Sequence, residues 1–130
     1  MTIDINTYLA KPYGPQPCFE LVADVYATEL QQIPVDYKTV NRSVREMASA
    51  FRLAIHKSAH GFVQVVEPVD LCVVLLAKHA HIGIHHCGVY HDGAVLHAMP
   101  GSTLFEPLSV IRDSFAVVQF WAKASEGQGA

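Results

Sequence analysis

With 130 residues, 51% of them apolar and 16% charged, the chain suits one packed domain and excludes a disordered ground state. Nine basic against twelve acidic side chains leave a net charge of −3 and no basic stripe, which argues against nucleic acid as a partner. Three cysteines, at 18, 72 and 87, are an odd number without a CxxC spacing, so a disulfide framework is not expected and a reducing compartment fits.

Residues 1–16, with Pro12, Gly14 and Pro15 and with Pro17 just beyond, read as an extended lead-in with turns. The opening Met-Thr-Ile-Asp-Ile-Asn has neither the basic nor the apolar region of a signal peptide, and no apolar run approaches membrane-spanning length. A protein made in the cytoplasm, without a membrane partner, is the expectation. From Pro17 the pattern turns helical: Phe19, Val22, Tyr26 and Leu30 recur at helical spacing, and Leu21 and Val25 widen the stripe until most of the helix is buried. Pro17 suits the first helical position, where its missing N–H has no partner to lose, and Ile33-Pro34 ends the helix. Ser43-Val44-Arg45-Glu46 fits a capping box and predicts a second helix along Val44, Met47, Ala48, Phe51 and Ile55.

After Gly61 the period changes. Phe62–Val66, Asp70–Ala77, Ile82–Tyr90, Ala94–Ala98 and Phe115–Trp121 are rich in β-branched and aromatic residues and predict strands. His91-Asp92-Gly93 predicts a tight hairpin turn, and Pro107–Asp113 a short helix. Glu106-Pro107-Leu108 reads as a strand end leading into a turn. Helices first and strands later predict an α+β domain over residues 17–124, with N-terminal helices packed on a mainly antiparallel sheet and a disordered Gly-rich tail at 125–130.

Cys18 stands at the start of the first predicted helix, where unpaired N–H groups and the helix dipole favour a thiolate. His86 and His97 lie on the two strands that the Asp92-Gly93 turn joins, so one sheet face can present both rings. A thiol, a base and a group that orients the base are the parts of a cysteine nucleophile. Read singly, Cys18 suits a small buried hydrophobe and each histidine a hydrogen-bonded core residue. A competing reading takes His79, His81, His85 and Cys87, with His91 nearby, as a metal cluster, because imidazole and thiolate suit Zn²⁺; no second ligand pair stands at a familiar spacing. Cys72, inside an apolar run, reads as core packing.

These segments together resemble the NlpC/P60 family of cysteine peptidases, which shows Asp-Cys-x-Gly-Leu-Val at a helix start, then His-Val-Gly-Ile-Tyr, a Gly-Asp-Gly turn and a Leu-His-Ala strand. Cys18-Phe-Glu-Leu-Val22, His86-Cys-Gly-Val-Tyr90, Asp92-Gly93 and Val95-Leu-His97-Ala98 match these in order and spacing, and the resemblance covers residues 13–122. It implies a papain-like core with Cys18 as nucleophile, His86 as general base and His97 as the orienting third residue. His81-Ile-Gly-Ile offers an alternative register for the histidine strand; only His86 has the spacing to Asp92-Gly93 that makes a tight hairpin. Tyr13, Glu20 and Tyr90 are candidates for lining the substrate. Pro17 and Glu20 depart from the family's pattern, and a Glu20 carboxylate aimed at the thiol would oppose thiolate formation.

Within the family, His-Cys-Gly-Val-Tyr, Phe105-Glu106-Pro107-Leu108 and Phe120-Trp121 look most like the phage tail-assembly branch. The resemblance implies hydrolysis of amide bonds in peptidoglycan stem peptides, without a cofactor or metal. The implied partners are the peptidoglycan peptide and phage tail-tip proteins, and the implied location is the host cytoplasm during assembly and then the virion tail. An alternative is a tail-tip assembly protein that keeps the fold without turnover.

Overall fold

A computed structural model describes residues 3–15, 17–31 and 62–123. The helix predicted from Ser43 and the tail at 125–130 lie outside the described residues. In chain order the elements are α1 (Ile5–Leu9), α2 (Pro17–Val25), a π-helical turn (Tyr26–Leu30), β1 (Phe62–Val65), β2 (Val73–Ala77), β3 (His86–His91), β4 (Ala94–Met99), β5 (Ser102–Pro107), α3 (Leu108–Ser114) and β6 (Val117–Lys123). The six strands form one sheet in the order β1-β6-β2-β3-β4-β5, antiparallel at every described pairing. The α+β class with helices on an antiparallel sheet is as the sequence predicts.

Side-chain alternation divides the core into two layers. Val73, Leu75, Cys87, Val89, Leu96 and Ala98 face α2 and pack with Leu21, Val22, Val25 and Tyr26. Val74, Leu76, Val95 and Phe120 face the opposite way and pack under Ile111 of α3. The fully buried Leu21 and Val25 each contribute about 1.5–3 kcal/mol by leaving water. The predicted burial of α2 on most sides holds, since Pro17, Cys18, Phe19, Leu21, Val22 and Val25 are all buried.

The lead-in differs from the expectation. Asp4 accepts the Asn6 N–H and caps α1, whose Tyr8 is buried and donates its hydroxyl to Glu29. Lys11 and the Tyr13 hydroxyl both reach Asp24, at 2.6 and 2.7 Å. The segment before Pro17 is therefore part of the fold, with Ile3 and Tyr8 in the core shared by α2 and the sheet and with Lys11 and Tyr13 tied to Asp24 of α2. Asn and Thr are weak helix formers, so α1 is held by its cap and by Tyr8 rather than by propensity.

Three predicted strands begin later than expected, β6 among them, at Val117 rather than Phe115. Leu71 takes a left-handed conformation (φ 62°), held by its N–H to the Tyr90 carbonyl and by the Tyr26 hydroxyl on its own carbonyl, so β2 starts at Val73 rather than Asp70. His79–Ile82 forms a turn and Gly83 has φ 90°, so β3 starts at His86 rather than Ile82. Of β5 the sequence reading has only the strand end at Glu106-Pro107, not the strand from Ser102 or its pairing with β4. Gly101, at φ 84°, turns the chain from β4 back into it.

Candidate active site

Cys18 is the second residue of α2, among the helical N–H groups that lack an intrahelical acceptor. It comes to the sheet from the α2 side. His86 is the first residue of β3, and alternation from Cys87 and Val89 turns it to the other face, where its ring stacks on Phe115 at 5.9 Å between centroids. They meet at a break in the sheet. The β3–β4 ladder runs from His91↔Ala94 only to Val89↔Leu96. Beyond it, β4 passes so close to Gly88 that a Cβ there would stand 2.6 Å from the Leu96 carbonyl oxygen and 3.0 Å from His97 Cβ. Gly88 is required by this close approach.

His86 Nε2 lies 2.9 Å from His97 Nδ1, and His97 Nε2 lies 2.8 Å from Glu106 Oε1. With Nε2 given to His97, Nδ1 is the ring nitrogen of His86 left for the Cys18 thiol, with which His86 is hydrogen-bonded. Cys87 also acts on Cys18, through its thiol and through its backbone N–H. These bonds hold the Cys18 thiol down, at about 5 against an ordinary 9.0: the Cys87 thiol contributes most, burial opposes, and the hydrogen bond and charge of His86 add to the lowering. Cys87 moves the opposite way, raised by burial and by its bond to Cys18, so it remains the thiol that donates while Cys18 is the thiolate. Burial, followed by the His86 charge, lowers the pKa of His97 and so favours its neutral form.

Of the residues the sequence singles out, Cys18, His86 and His97 are brought together. His81 stands apart from them, its ring stacked on His79 at 5.6 Å in the turn before β3. Glu20 does not aim at the thiol: its carboxylate accepts the Gly14 N–H at 2.7 Å, in the lead-in. Tyr13 is committed to Asp24, and the Tyr90 ring packs edge-on against Phe120 in the α3-side layer. The candidate metal ligands are dispersed among other partners. His85 Nε2 accepts the Lys78 N–H, His91 pairs with Asp70 at 2.6 Å, and Cys87 bonds Cys18. Among the described residues, no three His, Cys, Asp or Glu side chains form a group able to hold a metal ion.

Set against protein-family models, curated proteins and solved structures, the chain matches none. The chemistry is therefore read from the side chains themselves. A polarised thiol, a ring nitrogen to exchange its proton and a neutral second imidazole behind that ring form a nucleophile, a base and its orienting group. Glu106 is the residue that sequence reasoning missed. The Pro100-Gly101 pair before Ser-Thr-Leu-Phe-Glu was the available signal: it marks a hairpin, and in that hairpin Glu106 pairs with Val95, two residues from His97 on the same face. Among the described residues, no helix is long and apolar enough to cross a membrane.

Proposed function

We propose that the chain is a cysteine hydrolase of the NlpC/P60 type, with a papain-like core, that cuts amide bonds in peptidoglycan stem peptides as part of a phage tail. The observation that carries the reading is the continuous chain Cys18–His86–His97–Glu106. Cys18 attacks the amide carbonyl and forms the acyl-enzyme. His86 holds the thiol proton and delivers it to the leaving amine, and His97 keeps the His86 ring in place. The Cys18 backbone N–H, free of a helical acceptor, faces the developing oxyanion. Water then attacks the acyl-enzyme, with His86 as base, and frees the second product. The substrate class rests on the family resemblance.

Incubation of the protein with purified peptidoglycan fragments, followed by mass spectrometry, tests the reading. New termini within the stem peptide from wild type and none from Cys18→Ala are expected. An absence of products from wild type, or equal products from the variant, would sink it. A second reading, a tail-tip assembly protein that keeps the fold without turnover, is favoured by the burial of Cys18, which is 3% exposed. It predicts normal tail assembly from Cys18→Ala in a wild type that cuts no peptidoglycan.

A further inference from the structure

We propose that Glu106 is a positioning residue that sets the direction of the hydrogen bonds linking His97 to His86, and so makes Nδ1 of His86 the nitrogen that takes and holds the Cys18 proton. The inference rests on the reading of Cys18 as a nucleophile, but its test does not need a peptidoglycan substrate. A carboxylate only accepts hydrogen bonds, so the His97 nitrogen facing it, Nε2, must carry the proton. His97 is 2% exposed, and burial favours its neutral form, in which Nδ1 is then a lone pair. That lone pair requires the proton of His86 to stand on Nε2, 2.9 Å away. A neutral His86 protonated at Nε2 presents Nδ1 as its basic nitrogen, and this is the nitrogen left for Cys18.

The opposite arrangement is equally good for two imidazoles set edge to face without Glu106. His97 protonated at Nδ1 would donate to His86 Nε2, His86 would carry its proton on Nδ1, and it would offer the neutral thiol a donor instead of a base. The carboxylate removes this alternative. Glu106 does so from β5, with a side chain 33% exposed, so its oxygen is reachable by small anions from water.

The test measures the rate of Cys18 alkylation by iodoacetamide against pH, read by peptide mass spectrometry, together with the imidazole ¹⁵N spectrum that reports the His97 tautomer. In wild type, His97 is the Nε2–H tautomer. In Glu106→Gln the amide N–H₂ rewards the reversed chain, so the alkylation midpoint rises; labelling at pH 6 slows by about twofold for the first unit of rise and approaches about tenfold per unit once the midpoint has passed 6. Glu106→Ala behaves similarly, and added formate restores its rate where acetamide does not. A merely structural glutamate would change thermal stability without moving the midpoint, the tautomer or the formate response. Wild-type midpoints and tautomers in folded Glu106→Gln and Glu106→Ala would overturn the proposal. Should both variants fail to fold, a wild-type spectrum with His97 protonated at Nδ1 would overturn it equally. If the Glu106 variants shift as expected but wild type cuts no peptidoglycan, the positioning role stands and the hydrolase reading falls.

Discussion

The turn before β3 and the β3–β4 pair both carry imidazoles, and they use them in different ways. In the turn, His79 and His81 stack on one another, both exposed, and His85 accepts one backbone N–H. On the strands, His86 and His97 are locked edge to face, one leading to a thiol and the other to a carboxylate. The residue type is the same. What separates the two regions is the scaffold behind each ring: the turn leaves its rings to one another and to one backbone N–H, whereas two strands joined by a tight turn and crossing at Gly88 bring His86 and His97 within hydrogen-bonding distance.

Substitutions on the two sides should break this comparison most sharply. His86→Ala or Cys18→Ala is expected to lower peptidoglycan hydrolysis on the order of 10⁴-fold, as removal of a nucleophile or its base does elsewhere. His79→Ala and His81→Ala, assayed alongside, should leave the rate at the wild-type level. A loss from the turn variants equal to that from His86→Ala would erase the distinction. His97→Ala should fall between, at about 10²-fold, because His86 remains but is no longer held. The same substitution empties the buried site of the His97 ring and leaves a half-buried donor on His86 without its partner, and urea unfolding should show a loss of about 1–3 kcal/mol.

Gly88→Ala tests the strand crossing rather than the chemistry. Its Cβ would overlap the Leu96 carbonyl oxygen, so β4 must shift at the point where it carries His97. A destabilisation of about 1–3 kcal/mol in urea unfolding, with slower hydrolysis, is expected. An unchanged midpoint and rate would show that the close approach does not matter to the site. The smallest effect concerns metal. Because His79, His81, His85, His91 and Cys87 have separate partners, protein purified without a histidine tag should carry no stoichiometric Zn²⁺ by elemental analysis, and chelation should not move its thermal midpoint. One bound Zn²⁺ per chain would restore the metal-cluster reading.

Much of the strand side of this comparison was legible in the sequence. The Asp92-Gly93 turn adopts φ 50° and 82°, the geometry its residue types favour, and it fixes the pairing that places His97 beside His86. Cys18 was legible from Pro17 and the apolar stripe that follows it. Glu106 was not, because β5 has a half-buried pattern without clean alternation, and without that strand no carboxylate stands beside His97. The thiol of Cys87 was read as a possible metal ligand. Strand alternation alone does not reveal that it bonds Cys18, since that contact depends on how α2 lies across the sheet. The direction of Glu20 was not legible for a similar reason: it is set by the lead-in loop at Gly14, a segment whose short helix is specified by a cap and one buried tyrosine.

The central claim, that His86 and Cys87 hold Cys18 as a thiolate, is tested most directly by the pH dependence of Cys18 alkylation in wild type and in His86→Ala. The thiol's pKa is lowered, so the reactive form is present above the folded value and disappears as pH falls through it. Wild type should therefore label with a midpoint near 5, while Cys72 and Cys87, both raised, stay unlabelled at pH 6. The midpoint reports the pKa whatever the absolute access to the buried sulfur. In His86→Ala it should rise toward the ordinary thiol range. A wild-type midpoint near 9, or one that His86→Ala leaves in place, would contradict the account.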